Sequence, residues 1–88
     1  MKKKEDVILK NFRKLNMKDI VTVPIITVYN GPKDYPDKFV ARLWDIDKPT
    51  QYIITKDSME EIRMAIPYGM TKLEPFKTDD PIIVETWM

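Results

Sequence analysis

Carboxylates are the first residues in this sequence whose types and spacing could do chemistry. Asp45 and Asp47 bracket a turn, Asp57, Glu60 and Glu61 crowd one short stretch, and Asp79-Asp80 stands ahead of the last apolar run. Two or three carboxylates that meet in space can hold Mg²⁺ for phosphodiester chemistry. None of these groups has the spacing of a known metal loop, and each has a simpler local role. Asp47 precedes Lys48-Pro49, a turn-forming combination. Asp57 with Glu60, or Ser58 with Glu61, makes a capping box for the free N–H groups of a helix start. Acids at that end also suit the positive pole of the helix. The expectation is therefore no catalytic residue, no metal ligand and no cofactor.

Composition narrows the field further. The 88 residues include no Cys and no His, which excludes disulfide frameworks, zinc fingers, thiol nucleophiles and Ser-His or Cys-His catalysis. The side chain best suited to moving protons near neutral pH is missing too. With Gly31 and Gly69 as the only glycines, no glycine-rich phosphate loop exists. A non-enzymatic protein is expected.

Binding is the remaining class. Arg42 and Trp44 share one face of a strand and Tyr52 lies on the partner strand. Such a surface stacks bases or anchors a protein partner, or else packs Trp44 beneath a helix or loop. Trp87 stands beside the C-terminus as a further contact residue. Met64 falls off the apolar face of its helix, and Tyr68 sits in the Pro67-Tyr68-Gly69 exit. Arg42, Trp44, Tyr52, Met64, Tyr68 and Trp87 are thus the candidates for partner contact.

The net charge of +1 hides an asymmetry. Residues 1–18 carry seven basic side chains against two acidic ones, while residues 19–88 carry eight against twelve. A basic arm therefore precedes an acidic body. Lys2, Lys3, Lys4, Lys10, Arg13 and Lys14 would be its nucleic-acid contacts. A solvated terminus explains the same charges, so a protein partner, or a second copy in a homodimer, is preferred to nucleic acid. The start MKKKEDVILKNF has the charge of a signal peptide but no following apolar core of about 7–15 residues. The longest apolar run, within Ile20–Tyr29, is interrupted by Thr22, Pro24 and Thr27 and cannot span a bilayer. No membrane association and a cytoplasmic location are expected.

The elements that must position these residues read as follows. Val7, Ile8, Phe12 and Leu15 form a rough helical stripe over 5–15, with a short strand at 6–10 as the alternative. IVTVPIITVY, Ile20–Tyr29, is β-branched and strand-forming, and Pro24 requires an edge, a bulge or a bend. NGPKDYPDK is a loop. FVARLWD and QYIIT make an antiparallel hairpin with a loop of about five residues. A capped helix of about nine residues follows, with Met59, Ile62 and Ile66 on one face and a stop at Pro67-Tyr68-Gly69. Residues 70–80 read as irregular, and PIIVETWM as a last strand.

The sequence thus predicts an α+β fold in the order α-β-β-β-α-β. A single antiparallel sheet of about four strands would carry one or two helices on one face. The division is a basic N-terminal arm or helix at 1–18 and one α+β domain at 19–88.

The order strand, strand, strand, helix, with a helix opening as DSMEEI (Asp57–Ile62), resembles the partial RNase H-like core of HicB-like antitoxins. The likeness covers roughly residues 20–66. It implies a regulator associated with nucleic acid, for which the basic arm would supply the contacts. The chain is equally similar to other small proteins of bacteria and their mobile elements. A double-stranded-RNA-binding domain is excluded, because that family needs lysines where this chain has DSMEE.

Overall fold

The computed structural model describes residues 6–13, 15–74 and 81–88. The strands are β1 (Val7–Leu9), β2 (Pro24–Asn30), β3 (Phe39–Asp45) and β4 (Lys48–Lys56), then, after helix α1 (Met59–Met64), β5 (Lys72–Leu73) and β6 (Ile83–Trp87). A 3-10 turn at Met17–Asp19 links β1 to β2. All six strands join one sheet in the order β1-β4-β3-β2-β6-β5. The sheet is mixed, because β1 runs parallel to β4 while every other pair is antiparallel.

This corrects the expected architecture in three ways. First, the helix expected over 5–15 is absent from the described part of that stretch; Val7–Leu9 form the short strand that was its alternative. Pairing Val7, Ile8 and Leu9 with Tyr52, Ile53 and Ile54 covers the open edge of β4, which a helix would leave unpaired. Phe12 then turns into the core, fully buried, and donates its N–H to the Ala65 carbonyl at 2.9 Å. Second, the stretch read as irregular contains β5. Thr71 and Met88 exchange backbone hydrogen bonds of 2.7 and 3.0 Å, so the chain end holds β5 against β6. Third, the hairpin is tighter than expected. Asp45 pairs with Lys48 around a two-residue turn at Ile46-Asp47, and β4 already includes Lys48-Pro49. Extra residues of β4 around Thr50–Tyr52 bulge opposite Leu43. The Thr50 hydroxyl donates to the Leu43 carbonyl at 2.7 Å and accepts from the Tyr52 N–H at 3.2 Å, replacing ladder bonds lost there.

Pro24 is tolerated in a central strand because it is the first residue of β2. Pairing with β6 begins two residues later, at Ile26 opposite Trp87, and a bulge at Val28/Tyr29 shifts that register. Gly31 opens the following loop at φ 64°, with the Pro36 carbonyl 2.9 Å from where a Cβ would stand. Only glycine satisfies both conditions.

Alternation along the strands creates two faces. On one, Ile26, Val28, Ala41, Leu43 and Ile54 meet Phe12, Val21, Ile62, Ala65 and Ile66 in the main core. Helix α1 lies on this face. Ser58 caps it, its hydroxyl accepting the Glu61 N–H at 3.2 Å, while the Glu61 carboxylate accepts the Asp57 N–H at 3.1 Å. The helix spans six residues rather than about nine, and Gly69 takes φ 92° in the exit. Packing must hold so short a helix.

Candidate functional site

Among the described residues, no helix lies on the other face. One row of cross-strand neighbours crosses all six strands on it: Ile8, Ile53, Arg42, Thr27, Thr86 and Leu73. Val40 and Ile53 are nevertheless buried, outside the main core. One end of the face is closed by Asp6 and the loop 31–38. Tyr35 donates its hydroxyl to Asp6 Oδ2 at 3.2 Å, and the other oxygen of Asp6 pairs with Arg42 Nη1 at 3.1 Å. Burial, and after it the negative charges of Asp6 and Asp34, raise the Tyr35 phenol above its ordinary value.

Beyond this closed end the face is open, and Trp44 stands in the middle of it. Its indole lines two adjoining grooves. One, of about 290 Å³, has walls of Tyr29, Ile46, Leu73 and Ile83, with Thr27 and Thr86 as floor and Asp47 and Glu74 at the rim. The other, of about 430 Å³, is bounded by Asp6, Asp34, Arg42 and the Pro49–Gln51 segment of β4. The Trp44 indole N–H is buried and has no hydrogen-bond partner among the described residues. Such a group normally costs about 1–3 kcal/mol. Ile46 next to it is 57% exposed and holds φ 58°. For a β-branched residue this left-handed conformation is strained by about 1–2 kcal/mol. The turn is kept in place by the Ile46 N–H, which donates to the Val23 carbonyl at 3.1 Å, and by Asp45 Oδ1, which accepts the Val23 N–H at 3.0 Å.

The six residues expected to contact a partner are therefore divided among several places. Arg42 and Trp44 are together on the open face, but Arg42 is occupied by Asp6 and by the Thr50 carbonyl at 2.7 Å. Tyr52 packs against the main core on the opposite face, and so does Trp87. The Trp87 indole donates to Glu85 Oε1 at 3.1 Å. Glu85 is 3% exposed and also accepts Arg63 Nε at 3.3 Å and Nη2 at 3.1 Å, which raises the Arg63 pKa. Met64 is exposed beside a depression lined by Lys10, Lys56 and Glu61. Tyr68 is 87% exposed, with the Arg13 guanidinium 4.4 Å above its ring. Arg13 Nε also donates to the Ile66 carbonyl at 3.3 Å, fastening the arm to the helix exit. Lys2, Lys3, Lys4 and Lys14 lie outside the described residues.

Of the local roles expected of the carboxylates, the Ser58/Glu61 cap is present. Asp57 pairs with Lys38, whose pKa this hydrogen bond raises, and Asp45 holds the turn. Among the described residues no three Asp or Glu side chains gather as a metal ligand set, and Asp79-Asp80 lies outside them. No helix among the described residues is long and apolar enough to cross a membrane. No family model matches the chain, and no curated protein or solved structure matches it either.

Sequence reasoning missed Thr27, Tyr29, Ile46, Leu73, Ile83 and Thr86 as neighbours of Trp44. The threonines were the available signal. In ITV and ETW they alternate with core residues, which marks a second face that accepts polar groups. Ile46 gave no signal, because its conformation depends on the Asp45–Lys48 pairing.

Proposed function

We propose that this chain is a small non-enzymatic binding module of the cytoplasm, and that it engages a protein partner through the open face of its sheet. The observation that carries this reading is Trp44. It lies on the face that no helix covers among the described residues, separates two grooves, and keeps a buried indole N–H without an acceptor among those residues. Large aromatic side chains in such a setting are the usual anchors of protein interfaces. The absence of Cys and His from the sequence, and of gathered carboxylates among the described residues, supports binding over chemistry.

The charge of the face supports a protein rather than a nucleic acid. Asp6, Asp34, Asp47 and Glu74 border the grooves, and Arg42, the cation among them, is paired with Asp6. Phosphates would meet net negative potential there.

A photo-cross-linking residue placed at Ile46 or at Met64 tests the reading in the native cell. Both side chains are exposed, at 57% and 68%, but on opposite faces. An adduct with a defined protein from position 46 that Thr86→Arg suppresses is expected. Adducts from position 64 alone would move the working surface to the helix side.

A further inference from the structure

Resting on this reading of the open face, we infer that the groove beside Trp44 takes an extended peptide segment that alternates apolar and cationic side chains. Three observations lead there. The groove is walled by Tyr29, Ile46, Leu73 and Ile83 around Trp44, so its interior asks for an apolar side chain. At about 290 Å³ it is at the small end for a ligand site, which suits one or two side chains of a chain passing over it. Trp44 also lines the neighbouring groove of about 430 Å³. An extended segment, whose same-side residues recur about every 6.6–6.8 Å, can fill both grooves while crossing the indole.

Charge selects the rest of the segment. Asp47 and Glu74 stand at the rim of the first groove, Asp6 and Asp34 at the second, and no lysine lines either. Asp47 has no ion pair among the described residues, and Glu74 has only a long 3.8 Å contact to Lys72. Lys or Arg side chains between the apolar ones would reach Asp47 and Glu74 at the rim of the first groove. Such complementarity steers association and selects among partners. An acidic segment would meet like charges, Asp47 and Glu74, at the rim of the first groove.

The experiment uses the whole chain and two synthetic decapeptides, one alternating valine with lysine and one alternating valine with glutamate. Binding is followed by calorimetry and located by the indole N–H resonances of Trp44 and Trp87. The lysine peptide is expected to bind at least about tenfold more tightly than the glutamate peptide and to shift the Trp44 resonance. Asp47→Asn combined with Glu74→Gln should remove most of that preference, and added salt should weaken the complex. Equal affinity for both peptides at Trp44 would overturn the cationic partner while leaving the open-face reading standing. Binding that shifts Trp87 but not Trp44, or no binding at all, would overturn both. A mass that doubles with concentration and is abolished by Thr86→Arg would assign the groove to a second copy instead and overturn the peptide inference.

Discussion

The two tryptophans offer a matched pair of substitutions with opposite expected outcomes. Trp87 donates its indole N–H to a carboxylate that is almost fully buried, Glu85, at 3.1 Å. Trp44 buries the same group with no acceptor. Trp→Phe shortens the ring by a similar amount at both sites, so the packing loss largely cancels between them. At Trp87 the change removes a hydrogen bond to a charged group, worth about 1.5–3 kcal/mol. At Trp44 it removes an unpaired N–H that costs about 1–3 kcal/mol, the lower end applying because the side chain is only partly buried. The two variants should therefore differ by about 2–4 kcal/mol, with Trp87→Phe clearly destabilised and Trp44→Phe near the parent or above it. A chain of this size has about 4–13 kcal/mol of stability in total, so the difference is easy to see. In urea it corresponds to a midpoint separation of roughly 2 M. Each variant keeps one tryptophan as its own fluorescence probe. Equal losses in both would refute the reasoning, because they would mean that the Trp44 N–H is satisfied in solution.

Three further outcomes follow from the same geometry. Gly31→Ala should lose about 1–3 kcal/mol and lower the melting temperature, because the added Cβ meets the Pro36 carbonyl at 2.9 Å and φ is 64°; calorimetry checks this. Ile46→Asn should leave urea stability unchanged or raised by up to about 1 kcal/mol, since Asn accepts the left-handed conformation that Ile resists, yet it should weaken groove binding; a clear fall in stability would count against strain at φ 58°. For Tyr35 the folded-state pKa is raised above 10.0, so its contribution is fully present below that pH and declines as pH rises through the folded value. Tyr35→Phe should flatten this alkaline loss, read as urea midpoints across the alkaline range, and lower stability slightly at neutral pH through the lost bond to Asp6.

The legible parts of the fold were those set by local rules. The helix start at Ser58 and the exit at Gly69 depend on capping chemistry that sequence displays directly. The β2 and β3 strands follow from β-branched content and alternation. What sequence hid was long-range pairing. Val7–Leu9 becomes a strand only because β4 offers an open edge more than forty residues later. Lys72–Leu73 becomes one only because Thr71 and Met88 bond to each other. The candidate site was half legible for the same reason. Trp44 and Arg42 were identifiable as a pair on one strand face, but Tyr52 looked like their neighbour and belongs to the core side. The Thr50–Tyr52 bulge lies in β4, and the groove walls Tyr29, Leu73 and Ile83 come from β2, β5 and β6, whose order no local pattern encodes.

The distribution of local conflicts favours one face as the working one. On the helix side the polar groups are matched: Ser58 caps the helix, and Glu85 takes three donors from Arg63 and Trp87. On the open side two conflicts stand next to each other, a buried N–H at Trp44 without an acceptor and a β-branched residue at φ 58°. Together they cost about 2–3 kcal/mol, a large share of what so small a domain has. Folding alone would be served better by Phe at the first position and Asn at the second. A chain that keeps Trp and Ile there places its largest aromatic and an exposed branched side chain where a second surface can cover them. Sites of local inconsistency in an otherwise consistent sequence are where function is usually found. On the proposed reading, the helix behind the sheet is the support and the uncovered face in front is the part that binds.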